Sequence, residues 1–126
     1  MKKEFVPHEI ALALAKLKFN EKCFGYYGIQ NELKIEISSN LDTNLTRRDF
    51  YAAPTYSQAF RWFREKYGLW QIVMQNTDKD WTYDILPIIG IKDYKLFDVF
   101  DTYEEAELEC LKELIKIVNK THKQNV

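Results

Sequence analysis

Apolar positions recur at helical spacing in three segments of the chain. The first begins near Pro7, the second at Tyr56 after Thr55, and the third at Tyr103 after Thr102. Apolar side chains three and four residues apart lie on one face of a helix, so the pattern predicts three helices. Their apolar stripes are Ile10, Ala13, Leu14 and Leu17; Tyr56, Ala59, Phe60, Phe63 and Tyr67; and Tyr103, Ala106, Cys110, Leu111, Leu114, Ile117 and Val118.

Local signals mark the ends of these helices. Thr55 with Gln58, and Thr102 with Glu105, fit the capping box, in which the two side chains bond the free amides of the first turn. Gly68 stands where a left-handed residue commonly ends a helix. The third helix is acidic in its first turns and basic in its last, which complements the helix dipole. Its acidic run is therefore a feature of helix stability.

Strand-like segments lie between the helices. Residues 33–37 alternate apolar and charged side chains, as a strand with one wet face does, and residues 23–27 can pair with them. Residues 69–75 and 81–89 flank a polar loop of five residues and predict a hairpin, with Pro87 placing its end near Leu86. Residues 96–100 predict a further short strand.

These elements predict an α+β fold, with three helices packed on a mainly antiparallel sheet of four to five strands. The element order is α-β-β-α-β-β-(β)-α. A helix followed by a hairpin occurs twice, which suggests an internal duplication whose two halves share one sheet. The length of 126 residues suits a single domain, 1–126, with 119–126 as a frayed C-terminal tail.

Composition excludes several classes of protein. The chain is 46% hydrophobic and 29% charged, which rules out a disordered or low-complexity segment. Its net charge of −1 lacks the basic excess typical of nucleic-acid binders. Two cysteines, no signal-peptide pattern and no apolar stretch of membrane-spanning length predict a cytoplasmic protein with reduced thiols and no membrane association. An aromatic share of 15% is the one unusual feature.

Four stretches of the chain carry a resemblance to a known group of sequences. They are residues 5–10 (FVPHEI), 23–27 (CFGYY), 53–68 (APTYSQAFRWFREKYG) and 100–106 (FDTYEEA). Together they resemble an uncharacterised family of small proteins carried by gut anaerobes, their phages and mobile elements. The resemblance implies a mobile-element setting but supplies no catalytic or ligand-binding residue. A family member is expected to have glycine after the first helix, where this chain has Lys18.

The chain offers little for catalysis. His8 does not begin a His-Glu-x-x-His zinc motif, because Leu12 occupies the position of the second ligand. A dyad of His8 with Cys23 is conceivable, although a buried structural cysteine is the commoner arrangement. Asp78 and Asp80 suit a turn more than a cation site. We therefore predict no catalytic residue, no metal site and no cofactor, and keep an enzyme only as a third hypothesis.

One candidate binding surface is rich in arginine. Arginines that contact phosphates and aromatics that stack on bases together form nucleic-acid surfaces. The surface combines the long predicted loop 38–53 with the outer face of the second helix, and consists of Arg47, Arg48, Tyr51, Arg61 and Arg64. The alternative is that the two helix arginines form a solvated face and that the loop is a connector.

A second candidate surface is aromatic. Tyrosine and tryptophan dominate protein interfaces, although they are also common core residues. The candidate patch consists of Tyr26, Tyr27, Phe50, Trp70 and Trp81. Accordingly, we expect a small intracellular, non-enzymatic binding or regulatory module whose partner is a protein, a second copy included. The alternative is a nucleic-acid-associated accessory protein that uses the arginine surface.

Overall fold

The computed structural model of the chain describes residues 2–28, 30–35, 51–87 and 98–124. After a short 3-10 helix, Lys2–Glu4, the elements follow in the order α-β-β-β-α-β-β-α. They are α1 (His8–Lys16), β1 (Gly25–Tyr27), β2 (Leu33–Ile35), β3 (Tyr51–Ala53), α2 (Tyr56–Tyr67), β4 (Trp70–Gln75), β5 (Trp81–Leu86) and α3 (Tyr103–Gln124). The predicted α+β class is confirmed, because three helices accompany antiparallel strands.

The chain divides into two compact units, residues 1–59 and 60–126, and the division falls inside α2. The described strands form two antiparallel sheets, one of three strands and one of two, where the sequence predicts a single sheet. Each sheet has a helix of its own, since α1 packs against β3 while α3 packs against β4 and β5. The internal duplication is not confirmed, and the single domain with a frayed tail stays a prediction.

In the first unit, β1 is the central strand of the sheet β2-β1-β3. Gly25 lies opposite Ile35 on one side and opposite Ala53 on the other, so the predicted pairing of residues 23–27 with 33–37 is confirmed for the described strands. A Cβ atom at Gly25 would lie 2.8 Å from the Phe5 ring and 3.0 Å from the carbonyl oxygen of Ala53. The close approach of these groups therefore requires glycine here.

The third strand of this sheet lies where the sequence predicts the end of the loop 38–53. The last three residues of that predicted loop, Tyr51–Ala53, form β3, and residues 38–50 lie outside the described part of the chain. With two alanines, this segment has little intrinsic preference for a strand. Its hydrogen-bonded pairing with the edge of β1 stabilises the strand instead. Directly after β3 the chain pairs with the N-terminal segment instead, through a Phe5–Thr55 bridge and a hydrogen bond of 3.0 Å from the Val6 amide to the Pro54 carbonyl.

In the second unit, β4 and β5 form the predicted hairpin, and α3 covers one of its faces. The strand β5 ends at Leu86, as Pro87 predicts. Of the predicted strand 96–100, residues 96–97 lie outside the described part, and Phe100 exchanges two backbone hydrogen bonds with Trp81, of 2.8 and 2.7 Å. The buried side chains of α3 are Ala106, Cys110, Leu111, Leu114, Ile115 and Val118.

The predicted N-terminal caps of α2 and α3 are present. The Thr55 hydroxyl accepts the Gln58 amide at 3.2 Å, and the Thr102 hydroxyl accepts the Glu105 amide at 3.1 Å. The Gln58 side chain does not complete the box, since its Nε2 donates instead to the Lys22 carbonyl at 2.8 Å. This bond ties the start of α2 to the segment before β1.

Both α1 and α2 end in a left-handed residue. Gly68, at φ 67°, follows α2 as predicted, and its amide donates to the Arg64 carbonyl. Lys18 holds the corresponding place after α1 at φ 70°, with 3.0 Å bonds from its own amide to Ala15 and from the Phe19 amide to Leu14. These bonds form a Schellman motif, so the turn is made although the position lacks the glycine that usually occupies it.

We predict that Lys18→Gly stabilises the protein, because a side chain in the left-handed region costs about 1–2 kcal/mol that glycine does not incur. The Lys18 side chain is exposed, so its removal costs little packing. Urea unfolding followed by far-ultraviolet circular dichroism should show a free energy of unfolding raised by about 1 kcal/mol. Gly68→Ala is the matched control and should lower it, since its new Cβ meets no atom within 4 Å and changes only the backbone strain. Equal or lower stability of Lys18→Gly would contradict the argument.

Candidate functional site

The two faces of the β4–β5 hairpin differ in what covers them. On the inner face, Tyr83 and Ile85 are buried, and the Trp81 ring meets the Tyr103 ring of α3 edge to face at 5.3 Å between centroids. Residues paired across an antiparallel ladder share a face, and alternate residues point to opposite faces. The outer face therefore carries the cross-strand pairs Trp70 with Leu86, Ile72 with Asp84, and Met74 with Thr82.

Four large apolar side chains on this outer face are exposed to solvent, and we call them the outer stripe. Their exposed fractions are 57% for Trp70, 40% for Ile72, 38% for Met74 and 37% for Leu86. Single exposed apolar residues are common on protein surfaces, whereas contiguous ones mark interaction sites. The outer stripe is contiguous, because three of its members alternate along β4 and the fourth pairs with Trp70 across the ladder.

Arg64 of α2 borders the outer stripe at the first residue of β4. Its guanidinium lies 5.3 Å from the centre of the Trp70 ring, and its Nη1 donates to the Gln71 side-chain oxygen at 3.0 Å. The left-handed turn at Gly68 brings the end of α2 next to the start of β4. An arginine over a tryptophan face is held by the charge of the ring's π system. The contact therefore limits the orientations available to the exposed indole.

The strand β4 has one free edge among the described strands. Because Trp81 exchanges its backbone bonds with Phe100, its pairing with Gln75 is of the non-hydrogen-bonded kind. Bonding alternates along an antiparallel ladder, so Trp70, Ile72 and Met74 direct their backbone groups toward β5. The amides and carbonyls that point away from β5 are those of Gln71, Val73 and Gln75.

The hairpin loop is held by a single carboxylate. Asp80 Oδ1 accepts bonds from the Thr77 hydroxyl at 2.8 Å, the Thr77 amide at 2.9 Å and the Asn76 amide group at 3.2 Å. The Thr77 hydroxyl above all lowers the pKa of Asp80 below its ordinary value. A bond of 3.0 Å from the Asn76 amide to the Asp80 carbonyl closes the loop. These bonds fix the register that gives the hairpin its apolar outer face.

The residues of the predicted arginine surface fall in different parts of the chain. Arg47 and Arg48 lie outside the described residues. Tyr51 belongs to β3 in the first unit, whereas Arg61 and Arg64 belong to the second. Arg61 is exposed on α2, and Arg64 is engaged by Trp70 and Gln71.

The residues of the predicted aromatic patch also fall in different parts of the chain. Phe50 lies outside the described residues, and Tyr26 and Tyr27 belong to β1 in the first unit. Tyr27 is buried, with its hydroxyl donating to the Val6 carbonyl at 2.6 Å. Trp70 and Trp81 lie on opposite faces of the hairpin, so only Trp70 contributes to the outer stripe. Trp62, which flanks the apolar stripe of α2, is buried.

The cysteines are free, buried thiols in different units. Burial raises the pKa of Cys23 to about 12 and that of Cys110 well above its ordinary value. Since the thiolate is the reactive form, both thiols are unreactive at neutral pH. Cys23 Sγ donates to the Glu21 carbonyl at 3.4 Å, and the His8 ring packs on two tyrosines, so the described contacts do not join His8 and Cys23 into a dyad. Within the described ranges there is no group of three or more potential metal ligands.

His8, the first residue of α1, contributes a buried nitrogen without a partner. Its ring meets those of Tyr27 and Tyr51 edge to face, with centroids 5.3 and 5.7 Å away. The two tyrosines lie opposite each other on β1 and β3, so the sheet register sets the spacing of the rings around the histidine. His8 Nε2 is buried and makes no hydrogen bond. The imidazole therefore acts here as an aromatic packing group.

Comparison with protein-family models, with curated proteins and with solved structures finds no match for this chain. No helix in the described ranges is long and apolar enough to cross a membrane. The geometry of the two units is therefore the basis for assigning a candidate site, and it favours the outer stripe.

The sequence predicts the hairpin but not three of the four residues of the outer stripe. Ile72, Met74 and Leu86 are absent from the candidate surfaces, which consider aromatic and arginine side chains alone. The sequence does contain a signal for this face. In β4 the alternate apolar residues are Trp70, Ile72 and Met74, and in β5 they are Trp81, Tyr83 and Ile85, which lie on the opposite face of the hairpin. Alternation does not tell which of two apolar faces a helix covers, and that depends on where α3 packs.

We predict that His8→Phe raises stability, because it removes a buried polar atom and keeps the ring contacts with the two tyrosines. An unsatisfied buried polar group costs about 1–3 kcal/mol, so the free energy of unfolding should rise by about 1 kcal/mol in urea titrations. Tyr27→Phe is the control and should be less stable, since it leaves the Val6 carbonyl without its bond. A less stable His8→Phe would show that Nε2 has a partner and would refute the packing role.

Proposed function

We propose that this protein is an intracellular, non-enzymatic binding module whose protein partner docks on the outer stripe. The observation that carries the proposal is the exposure of four contiguous large apolar side chains on the face of the hairpin opposite α3. Removing such a surface from water favours association by roughly 25 cal/mol per Å² of apolar area. A hairpin face without this function would ordinarily carry polar side chains.

The composition of the outer stripe and its border also supports a protein partner. Tryptophan, methionine and arginine are enriched at interfaces, and energetic hot spots combine a central aromatic anchor with less critical surroundings. Trp70 is the most exposed member, and Arg64 restricts its ring. A side chain that is already ordered loses less conformational entropy when a partner binds.

The cellular setting belongs to the same proposal. The cytoplasmic location is part of this proposal, and the two free, buried thiols support it. The resemblance to a family of small proteins carried by gut anaerobes, their phages and mobile elements suggests a mobile-element setting.

We predict that a photo-crosslinking amino acid at Met74 captures a partner in the cells that naturally contain the protein, because Met74 lies within the outer stripe. Ultraviolet irradiation should give a discrete adduct of higher mass. The same amino acid at Lys116, exposed on α3, is the matched control and should give none. Trp70→Ser in the same chain should weaken the Met74 adduct by removing the anchor. Equal adducts from both positions would overturn the proposal.

Nucleic-acid association is the second candidate, and the pairing of Arg64 with the exposed Trp70 favours it. An exposed indole can stack on a base while neighbouring arginines contact phosphates. Arg61 adds an exposed positive charge to the same helix. The acidic residues of the hairpin loop and of α3 weigh against this candidate, since they repel a phosphate backbone.

If this second candidate holds, single-stranded oligonucleotides should bind with an affinity that falls steeply with salt. Replacing Arg61 and Arg64 by glutamine should make the logarithmic salt dependence shallower by roughly 0.7 for each phosphate that the protein no longer neutralises. The control replaces Lys116 and Lys120, exposed lysines of α3, and should leave the slope unchanged. Absence of binding at low salt in a gel-shift titration would exclude nucleic acid as the partner.

A further inference from the structure

The free edge of β4 is a second unpartnered feature of the hairpin. The outward amides and carbonyls of Gln71, Val73 and Gln75 have no strand beside them in the described part of the chain. The other edge of the hairpin is partly occupied, because Phe100 bonds to Trp81 there. One strand edge is therefore open on the element that carries most of the outer stripe.

Within the described strands, this edge lacks the sequence features that keep edge strands apart. Natural proteins protect exposed edges with charged side chains, proline, bulges or very short strands. The strand β4 is six residues long, Trp-Gln-Ile-Val-Met-Gln, with no charged residue and no proline, and its ladder with β5 runs without a bulge. Such an edge is suited to pairing with another strand.

The charges flanking β4 favour a second copy of the same strand in antiparallel orientation. Arg64 lies over Trp70 at the first residue of β4, whereas Asp78 and Asp80, with Lys79 between them, lie in the loop after its last residue. Antiparallel pairing brings the arginine of each copy toward the net negative loop of the other. Parallel pairing would place like charges side by side.

We propose that two copies of this chain associate through β4, edge to edge and antiparallel, to form one continuous four-stranded sheet. The proposal deepens the proposed function, because it names the partner as a second copy. The two-fold symmetry of such a dimer doubles every contact, and the two outer stripes merge into one apolar face. That face is carried by Trp70, Ile72, Met74 and Leu86 of each copy.

The alternation of backbone groups restricts the register. Outward-pointing residues must bond to outward-pointing residues, so the two-fold axis passes through a residue and not between two residues. Residues 72 and 73 are the two at the centre of β4 and allow the longest pairing. If it passes at Ile72, Ile72 of one copy faces Ile72 of the other in a non-hydrogen-bonded pair, and Trp70 of one copy faces Met74 of the other. If it passes at Val73, the backbone groups of Val73 in the two copies bond to each other, and Ile72 of one copy faces Met74 of the other. Both registers pair apolar side chains across the interface.

Two substitutions distinguish the contribution of the β4 edge to dimerisation from that of the outer stripe. Val73→Pro removes an outward amide used in both registers, while the bonds between β4 and β5 do not need that amide. Leu86→Lys places a charge in the outer stripe on β5 and leaves the β4 edge intact. Sedimentation velocity of the full-length chain measures the effect of each, with circular dichroism as the check on folding.

The wild-type chain, of 15.1 kDa, should sediment as a dimer that dissociates on dilution. Val73→Pro should raise the dissociation constant at least about tenfold, and Leu86→Lys should change it less than the proline does. A wild-type monomer at every concentration would overturn the proposal, and so would a dimer that Val73→Pro does not weaken.

Disulfide trapping tests the pairing without relying on the proline variant. Ile72→Cys and Val73→Cys are made singly, and the native thiols at Cys23 and Cys110 are buried and do not compete. Oxidation should link two copies through whichever residue lies on the axis, since paired Cα atoms about 4.5–5.5 Å apart suit a disulfide. Thr82→Cys, on the outer face but on β5, is the control and should not link. Failure of both β4 variants to link above that control would overturn the pairing.

The outcomes also distinguish this inference from the proposed function. A monomeric chain whose Met74 crosslink yields an adduct with a different protein refutes the second copy and keeps the binding module. A crosslink of twice the chain mass, with trapping at residue 72 or 73, supports both. A monomer that gives no adduct from Met74 refutes both.

Discussion

The packing of α3 on one face of a two-stranded sheet is the constraint on which the second unit depends. An isolated hairpin is at best marginally stable in water and needs a helix or further strands to bury an apolar face. Here Tyr83 and Ile85 are buried on the side that α3 covers, and Trp81 packs on Tyr103 at its end. One helix covers only one face, so in the described part of the chain the outer face stays exposed and the far edge of β4 has no strand beside it.

The first unit covers the apolar face of its sheet in a different way. Its central strand, β1, is paired on both sides, and α1 packs against β3. The chain comes close enough at Gly25 that a methyl group would meet both the Phe5 ring and the Ala53 carbonyl. The Tyr27 hydroxyl, on this central strand, is buried and donates to the Val6 carbonyl. This tighter construction leaves Phe24 as the single large apolar side chain exposed among the described residues of the unit.

Features set by local sequence could be predicted, and features set by distant pairing could not. The caps at Thr55 and Thr102 and the left-handed Gly68 depend on neighbouring residues, and all three are present. The strand β3 has weak intrinsic preference and exists because β1, some 25 residues earlier in the chain, offers an edge. Lys18 adopts the turn expected of glycine because the Schellman bonds and the following Phe19 hold it there.

The candidate site was partly accessible to the same reasoning. Trp70 and Arg64 could be singled out by residue type, but their contact depends on the angle between α2 and β4 that the Gly68 turn sets. The aliphatic members of the outer stripe were missed because an alternating pattern is symmetric between two faces. Only the placement of α3 shows that Tyr83 and Ile85 are core and that Ile72 and Met74 are surface.

The charges around β4 lie at its two ends, and this position affects how its free edge can pair. A six-residue uncharged strand of high β-propensity is a hazard for uncontrolled aggregation unless something occupies its edge. Protecting the edge by charge would put a charged side chain within the strand, where it would prevent pairing. In this chain the charges lie at the two ends instead, Arg64 before the strand and Asp78 and Asp80 after it. Charges so placed leave pairing possible but favour one orientation, and an antiparallel pair occupies the β4 edge of both copies, so neither copy offers that edge to a third.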